Sequence, residues 1–456
     1  MELPDDLLAW VQESAGRVTD ARLVMGGASR EAWLVDVEDP DGVPRALFLR
    51  RDNGTGPMHG TPYTIGREAS VYRALASTPV PVPEVIASHP DGNTALLERI
   101  EGEAYFPAAG DARARLAEQF VVILAALHTT DVHTLDLPLL VRPRTPEEHA
   151  TLELDIWEQL HRERGRPDPL VTFTLRWLRA RVPTTVDRTV LVQGDTGPGN
   201  FMFRDGQIVA VVDWELAHLG DPMEDLAWVI TRSLLQPFVP LGPWFRRYHE
   251  LSGIEVSDER LHWWTVFNVV RCVIGEGVVT VSGEANPERG MIYGLLQMHR
   301  RVTVDALARA SGRDAPAPAP TPAPATDAAA PTERTRLFEL VADTIDGALL
   351  PAIDDPMTTH QGRSMSRLVR HLARVDQFGP QVDARECAEI GAILDTEVTD
   401  VDAARDALLA AVDTGALDDD ADALLQYFRN ETTRQAPLVQ PMLGRLATVE
   451  LPDWRD

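Results

Sequence analysis

The stretch VLVQGDTGPGNFMFRDGQIVAVVDWE, residues 190–215, decides the architecture. Residues 201–204 (FMFR) and 208–212 (IVAVV) are apolar, β-prone runs. Asp205-Gly206 between them is a strong two-residue hairpin signal. With those two residues as the turn, Asn200 stands opposite Val211. Asp213 follows two residues later, so Asn200 and Asp213 can share one cation site. Asp195 lies on the loop before Asn200, free to face a substrate hydroxyl.

An Asp five residues before an Asn, with a second Asp closing the next strand, is how phosphoryl-transferring kinases collect a catalytic carboxylate and metal ligands. On that reading Asp195 orients the hydroxyl or accepts its proton. Asn200 and Asp213 hold Mg²⁺ on the phosphates of ATP, a cation that prefers hard oxygens and is usually held by one or two side chains plus phosphate. The competing reading makes Asp195 and Asn200 ordinary turn residues beside a hairpin. The flanking strands, the hairpin spacing and the second Asp together favour the first.

The run LVQGDTGPGNFMF…VVDWELAHLGDPMEDLAW resembles the aminoglycoside phosphotransferase-like family of small-molecule kinases, in the branch related to domains fused to acyl-CoA dehydrogenases. The resemblance spans roughly residues 20–300. It implies an α+β, bilobal protein-kinase-like fold, with an antiparallel N-lobe sheet plus helix and a mainly helical C-lobe. It implies Asp195 as the catalytic Asp and Asn200 and Asp213 as metal ligands. The family's usual first motif residue is His, where this chain has Gln193, a change that bears on local packing more than on chemistry. Asp221 and Asp225 resemble the support motif behind the catalytic loop. Asp221 also reads as the N-cap of a helix with Pro222 at its first position.

The chain contains no lysine; all 43 Lys-plus-Arg residues are Arg. Kinases place a Lys on the third strand to hold the α- and β-phosphates. Here that strand reads RALFLRRDN, and Arg50 falls at the family position. Arg is always charged and grips phosphate with two parallel hydrogen bonds. Arg50 and Arg51 alternate, so only one faces the cleft; Arg50 is chosen, and the alternative is that both merely flank a surface strand. GREASVYRAL (66–75) has helical apolar spacing, and Glu68 takes the place of the helix Glu that pairs with the strand cation. Gly26 and Gly27 precede a strand and can let backbone N–H groups approach phosphates, or form a plain turn. The strand TALLERIEGE (94–103) resembles the hinge between lobes, which puts backbone at Glu98 to Ile100 against adenine. The helix ARLAEQFVVILAALHTTDV (114–132) carries His128 at its end, read as a core residue. Trp263 and Trp264 are adjacent, cannot share one helix face, and include at least one core residue.

At 456 residues with 44% hydrophobic content the chain suggests two or three domains. The expected division is a kinase-like domain over 1–312 (N-lobe to about 102), a Pro/Ala-rich linker over 313–333, and a separate all-α domain over 334–456, a possible protein-partner surface. A net charge of −27 argues against nucleic acid or an anionic membrane as the main partner. Met1–Ala15 shows no basic-plus-apolar leader and no apolar run reaches 18 residues, so the cytoplasm is the expected compartment. Cys272 and Cys387 are far apart and read as buried thiols. Two function classes stand. One is an ATP- and Mg²⁺-dependent kinase of a small-molecule hydroxyl, with a hydroxyacyl-CoA or an aminoglycoside-like compound as acceptor. The other is a nucleotide-binding regulatory or interaction module with little turnover.

Overall fold

The computed structural model describes residues 3–24, 30–54, 56–106, 110–281, 289–313 and 330–455. Gly26 and Gly27 lie outside the described residues. The chain forms two compact units. One gathers Met1–Ile156, Val182–Thr265 and Pro452–Asp456; the other gathers Trp157–Arg181 and Val266–Leu451.

The first unit begins with α1 (Asp5–Ala15) and an antiparallel sheet. Its strands are β1 (Arg17–Val24), β2 (Glu31–Glu38), β3 (Pro44–Arg51), β4 (Val85–Ser88) and β5 (Thr94–Glu98), in the order β1-β2-β3-β5-β4. Side chains alternate between faces along a strand. Trp33, Val35 and Val37 of β2 and Leu47 and Leu49 of β3 are therefore buried together, packed with Leu7 and Val11 of α1. Arg51 shares the Leu47–Leu49 face and comes within 3.9 Å of Asp6 of α1. Arg50 points to the other face, where α2 (Ile65–Leu75) carries a buried Glu68. Thr64 caps that helix by accepting from Arg67 N–H at 3.2 Å.

The helical part of this unit holds α3 (Asp111–Thr129) and the first turns of α4 (Glu148–Arg164). The next helix, α5 (Pro169–Arg179), belongs to the second unit. The chain then returns to the first unit for β6 (Val190–Val192), β7 (Phe201–Arg204), β8 (Gln207–Val211) and β9 (His218–Gly220). β6 pairs with β9, and β7 with β8, both antiparallel. The hairpin turn is at Asp205-Gly206, both with positive φ (53° and 75°), as a type I′ turn requires. The register differs from the simple two-residue count. A bulge near Met202 and Phe203 leaves Val209 without a partner, so Phe201, not Asn200, faces Val211. Val212 N–H instead donates to Asn200 C=O at 2.9 Å, which puts Asn200 one residue from Asp213. The other edge of Phe203 bridges to Glu103, with bonds of 2.8 and 2.9 Å. α6 (Pro222–Ser233), capped by Asp221 with Pro222 first, packs on β6, and α7 (Leu241–Ser252) packs on α3.

α8 (Asp258–Val281) is long and apolar enough to span a membrane, against the expectation of no such run, but 72% of its apolar window is buried inside the protein. Trp263 and Trp264 on it are both buried. The second unit continues with α9 (Arg289–Ala310), α10 (Glu333–Thr344), α11 (Pro356–Leu394), α12 (Val401–Asp413) and α13 (Ala421–Leu443). α11 is one 39-residue helix that passes through Pro380. α13 and α11 pack on α9, and α12 packs on α5. The compact division thus does not fall at the Pro/Ala run. Residues on both sides of it build the second unit, because α5 and α9 bury apolar faces against the C-terminal helices. This unit contains a partly open pocket of about 140 Å³ bordered by Arg300, Glu431, Arg405, Glu386 and Tyr427. Cys387 is buried and Cys272 is half-buried; neither forms a disulfide.

Candidate active site

The loop from Gln193 to Asn200 is held from behind by one carboxylate. Asp225, fully buried on α6, accepts hydrogen bonds from Gln193 N–H (3.0 Å), Gly194 N–H (3.0 Å) and Thr196 Oγ1–H (2.5 Å). His128 at the end of α3 adds a fourth contact through Nε2 at 3.0 Å, and its other ring nitrogen lies 2.7 Å from the Tyr248 hydroxyl. Burial alone would raise the Asp225 pKa; the bonds from His128, Thr196 and Gln193 outweigh it and hold the carboxyl below the usual range. Gly194 has φ +84° and sits against Leu216, where a Cβ would meet the backbone oxygen at 2.7 Å. Gln193, at the family's His position, donates its side-chain amide to Val212 C=O at 2.8 Å and ties the loop to the end of β8.

This scaffold presents Asp195, Asn200 and Asp213 together. Asn200 Nδ2 donates to Asp195 Oδ2 and to Asp195 C=O, each at 2.7 Å. Asp213 stands at φ +63° with a partly exposed carboxylate, and its N–H donates to the Tyr72 hydroxyl at 3.2 Å. Tyr72 in turn donates to Glu68 at 3.3 Å. Arg50 completes the cluster, lying 2.6 Å from Glu68, 3.3 Å from Asp213 and 3.3 Å from Glu215. Glu215 is pushed up to about 7 by burial and by the Asp213 charge beside it. Arg30, also buried, pairs with Asp52 at 3.0 Å and approaches Glu215 at 3.8 Å. Asp195 is likewise raised, by burial first, with Arg232 opposing.

Of the residues read from the sequence, the structure brings Asp195, Asn200, Asp213, Arg50 and Glu68 into one cleft, with Gln193 and Asp225 behind them. Asp221 caps α6 by accepting from Met223 N–H, and it also receives Arg260 and the Trp264 indole N–H (3.0 and 3.1 Å). It is a buried anchor away from the reacting groups. At the hinge, Glu98 N–H donates to Glu84 C=O and Arg99 N–H to Ala46 C=O, so those two donors are already used. Four contributors were not assigned from the sequence: Arg232, Glu215, Tyr72 and Arg30. Glu215 closes the 190–215 stretch and Tyr72 lies in GREASVYRAL, two residues passed over there.

A family model described as the phosphotransferase enzyme family matches residues 20–259, more than half of the chain. The chain belongs to this family. Among curated proteins it is 28% identical over 225 residues to acyl-CoA dehydrogenase family member 11 of Rattus norvegicus, covering 46% of this chain and 28% of that protein. The Gallus gallus counterpart is 26% identical over 193 residues, covering 40% and 24%. The chain therefore matches only about a quarter of the length of these relatives. A structure from Ralstonia eutropha, provisionally described as an aminoglycoside phosphotransferase, superposes with a TM-score of 0.52 at 20% identity, covering 67% of this chain and 97% of that one. The fold is accordingly the kinase-like fold, with an antiparallel N-terminal sheet and a helical C-terminal region.

Proposed function

We propose that this phosphotransferase moves the γ-phosphoryl group of ATP, with Mg²⁺, to a hydroxyl of a small molecule. The observation that carries the reading is the convergence of Asp195 and Asn200, on a loop fixed by Asp225, with Asp213 just past β8, all facing the Arg50–Glu68 pair. The donor set suits a magnesium ion. Asn200 uses its amide N–H groups on Asp195 and keeps its oxygen, and Asp213 has a partly exposed carboxylate. Two hard oxygens on adjacent backbone are what a cation shared with phosphates needs. No cluster of three or more metal-binding side chains occurs among the described residues, so an all-protein metal cage is not the design there. When bound, Mg²⁺ would neutralise phosphate charge between Asn200 and Asp213.

The chain's own residues do the rest. Asp195 receives the proton of the acceptor hydroxyl as its oxygen bonds to phosphorus and ADP departs. Arg50 neutralises the α- and β-phosphates, and Glu68 holds it for that task. With Glu98 N–H and Arg99 N–H already used, adenine is met by the Glu98 carbonyl and the Ile100 N–H. The relatives' names make an alcohol of the hydroxyacyl-CoA class the first acceptor to try, and an aminoglycoside-like polyol the second. One observation favours the alternative of a nucleotide-binding module with little turnover: Arg50 already faces three carboxylates. A metabolite screen with Mg-ATP, read by mass spectrometry for phosphorylated product, separates the two. A product that vanishes in Asp195→Asn supports transfer; tight ATP binding with no product from any acceptor class supports the module.

A further inference from the structure

The Asp195 carboxylate receives three hydrogen bonds among the described residues. Arg232 Nε donates to Oδ1 at 2.8 Å, Arg232 Nη2 donates to Oδ2, and Asn200 Nδ2 donates to Oδ2 at 2.7 Å. A carboxylate offers about four lone-pair positions. One stays open, and it is on Oδ1. Independently, the loop is shaped to admit Arg232. Gly197 has φ +144°, and a Cβ there would stand 2.8 Å from Arg232 Cβ and 3.1 Å from its Cγ. Gly199, at φ +101°, would carry a Cβ 3.5 Å from Arg232 Nη1. Arg232 lies in the last turn of α6, the helix whose Asp225 holds the same loop. The side chains of Arg232 and Asp195 are 22% and 21% exposed, so the pair opens to the cleft rather than lying in the core.

We propose that Arg232 is a positioning residue for phosphoryl transfer, fixing the Asp195 carboxylate so that Oδ1 alone receives the acceptor hydroxyl. The inference rests on the phosphotransfer reading above. A guanidinium fork sets the plane of a carboxylate with two parallel bonds, which a point-like ammonium does not. Asn200 by itself contacts one oxygen and leaves the carboxylate to turn about its own axis. In the step, the hydroxyl oxygen bonds to phosphorus and the bond from phosphorus to ADP breaks. The hydroxyl proton moves to Oδ1.

The test uses the full chain, with Mg-ATP turnover to ADP and water as the acceptor hydroxyl. Arg232→Ala is expected to lower kcat about 10- to 100-fold, the size of a small misplacement of a reacting group, with the KM for ATP within about threefold. Arg232→Lys should recover only part of the rate, and added guanidinium should restore part of it to Arg232→Ala but none to Asp195→Asn. Gly197→Ala should reproduce the Arg232→Ala defect. An Arg232→Ala kcat within about twofold of the parent, or a loss that guanidinium leaves untouched, overturns the inference. An Asp195→Asn enzyme that keeps full turnover overturns the phosphotransfer reading itself. Where turnover is too slow to measure, the Arg232 Nε–H resonance decides. It should exchange slowly in the parent and fast in Asp195→Asn; identical behaviour in both overturns the inference.

Discussion

Asp195 carries the heaviest expectation at the scale of single residues. Asp195→Asn keeps the shape of the side chain but replaces one acceptor oxygen with a donor, which faces Arg232 or Asn200 badly. A general base contributes about 10²–10⁴ in rate, so turnover should fall by that factor while ADP binding, followed by calorimetry, stays near the parent value. Turnover within about threefold would remove Asp195 from the mechanism. The two oxygens for the cation are unequal. Asp213 brings a full charge and Asn200 only a dipole, so Asp213→Ala should weaken Mg²⁺-dependent nucleotide binding more than Asn200→Ala. Calorimetry with and without Mg²⁺ gives the order, and unchanged affinity in Asp213→Ala would count against that ligand. All three residues could be read in the sequence because they sit at fixed spacing on one loop and hairpin. Arg50 is placed by the family position on its strand; alternation says only that one of Arg50 and Arg51 faces the cleft. Glu215 and Tyr72 lie within the stretches already read for Asp213 and Glu68, but their contacts do not show there; Arg232 and Arg30 reach the cleft from other elements through tertiary packing, and no local spacing encodes that.

Among secondary-structure elements, α6 does more than cover the strands. Its Asp221 caps it, its Asp225 gathers the catalytic loop, and its Arg232 meets Asp195. Asp225→Ala would leave the Gln193 and Gly194 N–H groups and the His128 ring without their buried acceptor. Breaking such a network by removing one partner costs roughly 3–5 kcal/mol, to be read as a drop in the urea midpoint. A loss below about 1 kcal/mol would mean water replaces the carboxylate. The hairpin shows the limit of local reading. Asp205-Gly206 announced the turn, but a bulge has no sequence signature at Met202–Phe203, so the register came out one residue off. The next strand, β9, holds a titrating group. Burial lowers the His218 pKa, but the carboxylates of Glu153 (3.7 Å) and Glu224 (3.0 Å) outweigh it and hold the ring at about 9. A raised imidazole stabilises the fold fully below its unfolded pKa near 6.5, and that contribution is lost as pH rises through 9. At about 1.4 kcal/mol per pKa unit the loss is at most roughly 3 kcal/mol. Thermal melts across this range should show Tm falling, and in Glu224→Gln the fall should be smaller and end at a lower pH. A flat Tm from pH 6.5 to 9.5 in the parent would rule out a charged His218.

The division of the molecule is where linear reading and packing part company. A Pro/Ala-rich run announces a boundary because it offers little apolar surface. It says nothing about which helices on its two sides bury each other. α9 and α5 precede the run, α11, α12 and α13 follow it, and they form one compact unit. Leu424, Leu425, Phe428 and Leu438 of α13 and Leu408 and Val412 of α12 are buried in that unit, as are Ile292, Leu296 and Val302 of α9. Ion pairs cross between the same segments, with Arg300 of α9 on Glu431 at 3.0 Å and Arg176 of α5 on Asp418 at 2.7 Å. Cutting the chain in the run should therefore not separate the pieces. With a specific protease site placed at residue 320, the cleaved protein should elute as one species in size-exclusion chromatography. A fragment of residues 334–456 expressed alone should bind a hydrophobic dye strongly or precipitate, because the faces of α12 and α13 that meet α5 and α9 are then in water. Two separately eluting, cooperatively folded pieces after cleavage would show instead that the C-terminal helices are an independent domain. The contacts of α13 with α9 would then be incidental rather than the core of the second unit.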